Sequence, residues 1–380
     1  MSDLFGDPGE GPGGDPDEEE AASAEAGAAS LAPRANPVLI GHEKAEALLL
    51  SAIAAGRLPH AIILGGPRGV GKATLAFRLA RFLLAQEAGA GAGAFGASSL
   101  ALPAEHPVFK RVASGGHADL LTIEREIDPK TKRLRGEIVV EHARAIASFL
   151  RLTPAEGGSR IVIVDGADEM NRTAANSLLK VLEEPPPNTF LLLVSHQPGR
   201  LLTTIRSRCR FLGLQPLPEH EILALLARHH PELGLEDRTA LAHLAEGSIG
   251  RALELADFGG LDLHRQLMGL LAQLPDLDAA ALHAFADRMA KAEAADSCRT
   301  MSELLTGWLA RMIRLAASGK SGDDERETAI MRRLTARRGL DQWVEVWEKI
   351  ARLFLQADGL KLDRKQVVLN AFFVLEAASR

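Results

Sequence analysis

The chemistry in this chain starts at a lysine that closes a glycine-rich stretch, Gly66-Pro67-Arg68-Gly69-Val70-Gly71-Lys72. Glycines let successive backbone N–H groups turn inward around phosphate oxygens, and a lysine at the end of such a loop reaches the β and γ phosphates. Position 73 is Ala, where a phosphate loop carries the Ser or Thr that ligates magnesium. Thr74 does not replace it, because one helical step turns its side chain about 100° away. Asp165 ends an apolar run where an aspartate would hold magnesium through water, with a turn or capping aspartate as the alternative reading. Gly166 follows it in place of the glutamate that polarises the attacking water, and Asp168 and Glu169 lie too far along to be aimed the same way. Loss of a positioned base costs about 10² to 10⁴ in rate, so negligible hydrolysis is expected of this chain even with nucleotide bound. Arg206 and Arg208, in Thr204-Ile205-Arg206-Ser207-Arg208-Cys209, are a weaker signal. An arginine at a subunit edge can reach a neighbour's γ-phosphate, worth about 10³ to 10⁵ in GTPases, although an arginine pair alone reads as a solvated face.

These groups need a sheet to hold them. Apolar runs at Ala61–Leu64, Leu120–Ile123, Arg160–Asp165 and Phe190–Ser195 read as buried strands, with one more at Cys209–Leu212. Between them lie helical patterns at Lys72–Ala85, Val140–Leu150 and Thr173–Glu184, the last stopped by Pro185-Pro186-Pro187, and Glu43–Ala55 precedes the first strand. Strands alternating with helices predict a parallel sheet covered on both faces. Beyond Gln215 the pattern is helical only: three short helices to Phe258, then four or five longer ones, with Gly259-Gly260 as the boundary.

The 380 residues are 46% hydrophobic and 25% charged, the profile of a globular protein of two or three domains. The absence of a long apolar run or an N-terminal leader pattern argues against membrane insertion and secretion. Cys209 and Cys298 alone support neither a disulfide framework nor a cysteine zinc site, and a cytoplasmic location is expected. The net charge of -6 is local: residues 1 to 34 hold nine acids against Arg34, whereas the rest carries 43 basic and 41 acidic residues. That tail, rich in Gly, Pro, Ala and acid, is expected to be disordered, as is the Ala-Gly insert at 88–99. A polar excursion follows at 128–136, whose basic loop Lys130–Arg135 reads as a solvated hairpin rather than a nucleic-acid patch.

Taken together, the Gly66–Lys72 loop, Ile161–Asp165, Asn176-Ser177-Leu178-Leu179-Lys180-Val181-Leu182-Glu183-Glu184-Pro185-Pro186 and Arg206-Ser207-Arg208-Cys209 resemble the clamp-loader branch of the AAA+ ATPases, from about residue 36 onward. The last two carry the specificity. The resemblance implies an α/β P-loop AAA+ domain with a parallel sheet at 35–215, a small all-α lid at 216–259 and an all-α C-terminal collar at 260–380 for oligomerisation. In it Gly66, Gly69, Gly71, Lys72 and Asp165 match the nucleotide-binding positions. Ser195 falls at the sensor-1 position, Arg251 in Gly247-Ser248-Ile249-Gly250-Arg251-Ala252 resembles the sensor-2 arginine, and Arg208 matches the finger that acts in trans. Arg251 reads equally well as an exposed helix-start residue. ATP, with magnesium, is the ligand of such a site, here degenerate. The family often inserts a four-cysteine zinc module after the phosphate-loop helix; this chain has no cysteine there, and His106 and His117 are too few ligands, so no zinc and no other metal site is expected.

The implied role is that of a static subunit of the DNA polymerase III clamp loader, assisting the loading of a sliding clamp on primed DNA. Its partners would be gamma/tau-type and delta-type subunits, the clamp, and DNA through the complex. One rival is an active gamma/tau-type motor, against which Ala73 and Gly166 argue. A second is a stand-alone P-loop nucleotide kinase, which leaves the C-terminal helices without a purpose. A third, an independent DNA-binding protein, shows no recognition motif.

Overall fold

The computed structural model describes residues 32–86, 98–126, 136–156, 158–291, 295–319, 324–360 and 362–380. The acidic tail to residue 31, residues 87–97 of the Ala-Gly insert and the basic loop Lys130–Arg135 lie outside the described residues. The chain forms two compact units, divided between Glu221 and Ile222.

The first unit runs α1 (Glu43–Ala54), β1 (Ala61–Gly65), α2 (Lys72–Ala85), α3 (Pro107–Ala113), β2 (Leu120–Ile123), α4 (Val140–Leu150), β3 (Arg160–Asp165), α5 (Arg172–Glu183), β4 (Thr189–Ser195), α6 (Thr203–Arg206) and β5 (Arg210–Gly213). All strand pairs are parallel, in the order β2-β3-β4-β1-β5. Successive side chains of a strand point to opposite faces, and both faces are apolar. Ile62, Leu64, Ile161, Ile163, Leu192 and Val194 pack under α1, α2 and α3, while Ala61, Ile63, Val162, Val164, Leu191 and Leu193 pack under α4, α5 and α6. This is the α/β P-loop architecture expected from the alternation of strands and helices.

Several details differ from the sequence reading, among them single-residue shifts at the ends of α1, β1 and β4. Helix α5 starts one residue earlier, at Arg172, because the Asn171 side chain accepts the Ala174 N–H at 2.9 Å and caps it. Strand β5 starts one residue later, because Cys209 turns onto the apolar cluster beneath α5 and α6. Helix α3 was not expected: at 7 residues it is too short to show a period, and it opens on His106, whose ring accepts the Val108 N–H. Arg34, counted with the acidic tail, is tied in. It pairs with Glu124 at 2.8 Å, and its carbonyl accepts from Arg81, which lies over the Phe109 ring.

The second unit is helical: α7 (Glu219–His229, entering from the first unit), α8 (Leu235–Leu244), α9 (Ile249–Asp257), α10 (Gly260–Gln273), α11 (Ala279–Ala290), α12 (Ala295–Ser318), α13 (Glu325–Thr335), α14 (Leu340–Leu360) and α15 (Arg364–Ser379). Six helices follow Gly259 among the described residues, against the four or five expected, since the arginine-rich α13 carries little apolar pattern. Trp308, Leu309, Met312, Trp343 and Ile350 are buried in the unit's own core, Phe285 meets Phe372 edge to face, and Leu355 is exposed. No helix among the described residues is long and apolar enough to cross a membrane.

Candidate functional site

Parallel strands present all their carboxyl ends on one edge, where ligands of such sheets bind. Gly65 of β1 pairs with Ser195 of β4, and Asp165 of β3 pairs with Val194. The phosphate loop, Ser195 and Asp165 are therefore neighbours on the edge of three adjacent strands. Only glycine can occupy position 66: its φ is 152° and a Cβ would lie 2.4 Å from the Leu214 carbonyl oxygen. The Lys72 ammonium is buried and donates to the carbonyls of Gly66 (2.8 Å) and Pro67, which holds the loop curved around it. An ammonium has three donors, so one remains for a ligand. The buried His42 ring sits 2.6 Å from the Val70 carbonyl and supports the loop from outside.

Burial dominates the electrostatics. It pulls the Lys72 pKa down to about 8, against the opposing pull of Asp165 and Asp168. Burial likewise pushes Asp165 up to about 6, with Glu124 adding to it and Lys72 opposing it. His196, next to Ser195, is driven down to about 4 by burial and by the Lys72 charge, so its ring is neutral at pH 7. Asp168 is also partly desolvated, but the His196 N–H and the Ser195 hydroxyl outweigh that and hold its carboxyl below the usual range. It accepts the N–H groups of His196 and Gln197 at 2.9 and 3.1 Å, tying the end of β3 to the end of β4.

The loop fits a polyphosphate: its glycines allow inward amides, Lys72 keeps a donor, and α2 brings the positive end of its dipole. The metal side fits less well. Ala73 offers no oxygen, and Gly166 takes a left-handed φ of 84°, where a Cβ would lie 2.5 Å from Glu169 Oε2. Glu169 pairs with Arg125 at 2.8 Å and Asp168 is committed to the β4 backbone, so neither stands in for the missing base. No group of three or more His, Cys, Asp or Glu among the described residues is arranged to hold a metal ion.

Arg208 lies at the other end of the sheet. The loop follows the carboxyl end of β1, level with Gly213, whereas Arg208 precedes the amino end of β5. At about 3.3 Å per residue the two are separated by roughly 15 Å of strand. Its guanidinium donates to the Thr204 carbonyl (3.0 Å) and to Glu183 (2.7 Å), and the burial of Cys209, whose thiol pKa rises to about 11, anchors the backbone beside it. Arg206 is exposed nearby. Arg251 belongs to the second unit: its N–H is capped by Ser248 at 3.1 Å, and its guanidinium lies 4.0 Å from Glu246 and against Gly307 of α12. Within the first unit the structure thus gathers Gly66, Gly69, Gly71, Lys72, Asp165 and Ser195 on one edge and places Arg208 at the other. Sequence reasoning missed His42, His196 and Glu183. Glu183 lies inside the Asn176–Pro186 signature and His196 follows Ser195, but the partner that gives each its role, like that of His42, comes from an element remote in the chain.

The family described as "DNA polymerase III, delta subunit" matches residues 41–218, which contain the whole sheet and its carboxyl edge. The chain is 40% identical over 190 residues to the DNA polymerase III subunit delta' of Pseudomonas aeruginosa, covering 50% of this chain and 53% of the relative. It is 33% identical over 215 residues to the subunit delta' of Escherichia coli, covering 54% and 57%. Through this region the chain is similar to the delta-prime subunits of DNA polymerase III. It spans about half the length of the curated delta-prime relatives it matches. A solved structure, a DNA polymerase III gamma subunit-related protein from Thermotoga maritima, aligns with a TM-score of 0.42 at 18% identity, over 87% of this chain and 100% of that one. The family match covers the elements that carry the phosphate loop and Arg208, and leaves the second unit to be read from its own structure.

Proposed function

We propose that this chain is a static, delta-prime-type subunit of a clamp loader, contributing to replication by supplying Arg208 to the ATP site of a neighbouring gamma/tau-type subunit. The position of Arg208 carries this reading: it lies at the sheet edge opposite the chain's own phosphate loop, half-exposed, with its backbone anchored by Cys209. An arginine there does not serve its own loop and is available to another subunit. The missing oxygen at Ala73 and the turned backbone at Gly166 favour the static role over the motor. In this reading the degenerate loop binds ATP weakly or serves as a structural remnant. Residues 216–259 act as the lid bearing Arg251, and 260–380 form the collar that joins delta-type and gamma/tau-type partners. The sliding clamp and primed DNA are engaged through the complex.

The test is a reconstituted loader in which this subunit carries Arg208→Ala. Assembly and the subunit's melting temperature stay unchanged, while clamp- and DNA-stimulated ATP turnover falls. Arg208→Lys does not restore it fully, since an ammonium lacks the planar fork that engages two oxygens. Equal turnover at matched assembly would refute the finger.

A further inference from the structure

The carboxylate that holds Arg208 stands where helix electrostatics disfavour it. Glu183 is the last residue of α5, and Glu184 follows as its cap. The end of a helix carries partial negative charge, so acids there are disfavoured and cations are preferred. Lys180 supplies the favourable charge one turn earlier; Glu183 does the opposite. Its side chain is half-exposed and 2.7 Å from the Arg208 guanidinium, at 50% and 35% exposure respectively. Ion pairs this accessible to water contribute little to folding, so stability does not account for the acid. A residue that breaks a local rule without a stabilising return marks a functional constraint.

The contacts of Arg208 show what that constraint is. One guanidinium nitrogen donates to the Thr204 carbonyl in the short helix α6 and, at 3.4 Å, to the Ser207 hydroxyl, and the other donates to Glu183 at the end of α5. Pro185-Pro186-Pro187 fix the chain immediately after α5, so the carboxylate is held on a stiff support. The guanidinium is held between the end of α5 and the turn of α6 instead of sampling its many rotamers. Thr204, Ser207 and Glu183 accept from three of its five N–H donors, which leaves two for an oxyanion.

We infer that Glu183 is a positioning residue for Arg208, pre-orienting the guanidinium for the phosphate of a neighbouring subunit; this rests on the finger reading given above. Misplacement of a transition-state contact by about 1 Å costs up to about 10²-fold in rate. Glu183→Ala and Glu183→Gln in the reconstituted loader are therefore expected to lower the maximal ATP turnover about tenfold while leaving the KM for ATP, the assembly and the melting temperature unchanged. Glu183→Asp, a methylene shorter at the same helix end, recovers part of the loss.

A cycle with Arg208→Ala separates the two claims. If Glu183 acts through Arg208, Glu183→Ala lowers turnover in the wild-type background and adds nothing in the Arg208→Ala background. A loss with Arg208→Ala but none with Glu183→Ala leaves the finger standing and overturns the positioning role. An equal further loss in both backgrounds, or a gain on Glu183→Ala, also overturns it. No loss with Arg208→Ala removes the finger, and the positioning role falls with it.

Discussion

Lys72 and Asp165 are both held in environments that oppose their charge, and this has a sign that can be measured. The Asp165 pKa of about 6 in the folded chain lies above its ordinary value of 3.8. Between those values the folded state binds the proton that the unfolded state has released, so stability falls as pH rises through this window. Above it the penalty is complete, at most about 3 kcal/mol for a shift of this size. Asp165→Asn is therefore expected to melt higher than the wild type at pH 7.5, with the difference fading as pH drops through 6 and gone below about 3.8. An Asp165→Asn chain that melts lower at pH 7.5 would contradict this. The opposite expectation holds next door. Gly166→Glu places a side chain at a φ of 84° and against Glu169, so it should destabilise the chain by about 1–2 kcal/mol, with no ATP hydrolysis gained in return.

At the scale of an element, Arg332-Arg333-Leu334-Thr335-Ala336-Arg337-Arg338 in and after α13 is the densest run of arginines in the second unit. Its arginines are largely committed. Arg333 donates to the Ala272 carbonyl (2.8 Å) at the end of α10, while Arg337 and Arg338 donate to Ser379 (3.2 Å) and Ala377 (3.0 Å) at the end of α15. They satisfy carbonyls that a helix end leaves without partners, and their charge suits the negative end of each dipole. Arg337→Ala should destabilise the helical unit by about 0.5–1 kcal/mol in denaturant unfolding, a loss that an idle surface arginine would not give. Trp308 and Trp343 face the unit's own core, as apolar residues at helical spacing ordinarily do.

On the scale of the whole molecule, the two units have separate cores, and all three tryptophans (Trp308, Trp343 and Trp347) lie in the second. Tryptophan emission therefore follows the helical unit alone, while far-UV circular dichroism follows both. Units with their own cores unfold in separable transitions. Gly166→Glu should lower one transition seen by dichroism and leave the tryptophan transition where it was. A shift of both by the same amount would show that the units unfold as one.

The sequence by itself determined the elements and the loop. Continuous apolar runs of strand length and glycines at fixed spacing are local properties, and local properties survive without a fold; Arg160–Asp165 stands as read, and the run Ala61–Leu64 is a strand that extends one residue further, to Gly65. It also shows Ala73 and Gly166 at the positions where a magnesium hydroxyl and a base would stand. Only the tertiary structure decided which groups share an edge. Strand order places Ser195 between the loop and Asp165, brings His196 against Lys72, and carries Arg208 to the far end of the sheet, because parallel strands align their ends whatever their distance in sequence. The pKa values belong to the same class, since burial is a property of the packed chain. So does the pairing of Glu183 with Arg208, 25 residues apart. In the sequence Glu183 is part of a signature whose role is not legible; beside a guanidinium at 2.7 Å it has a partner to orient.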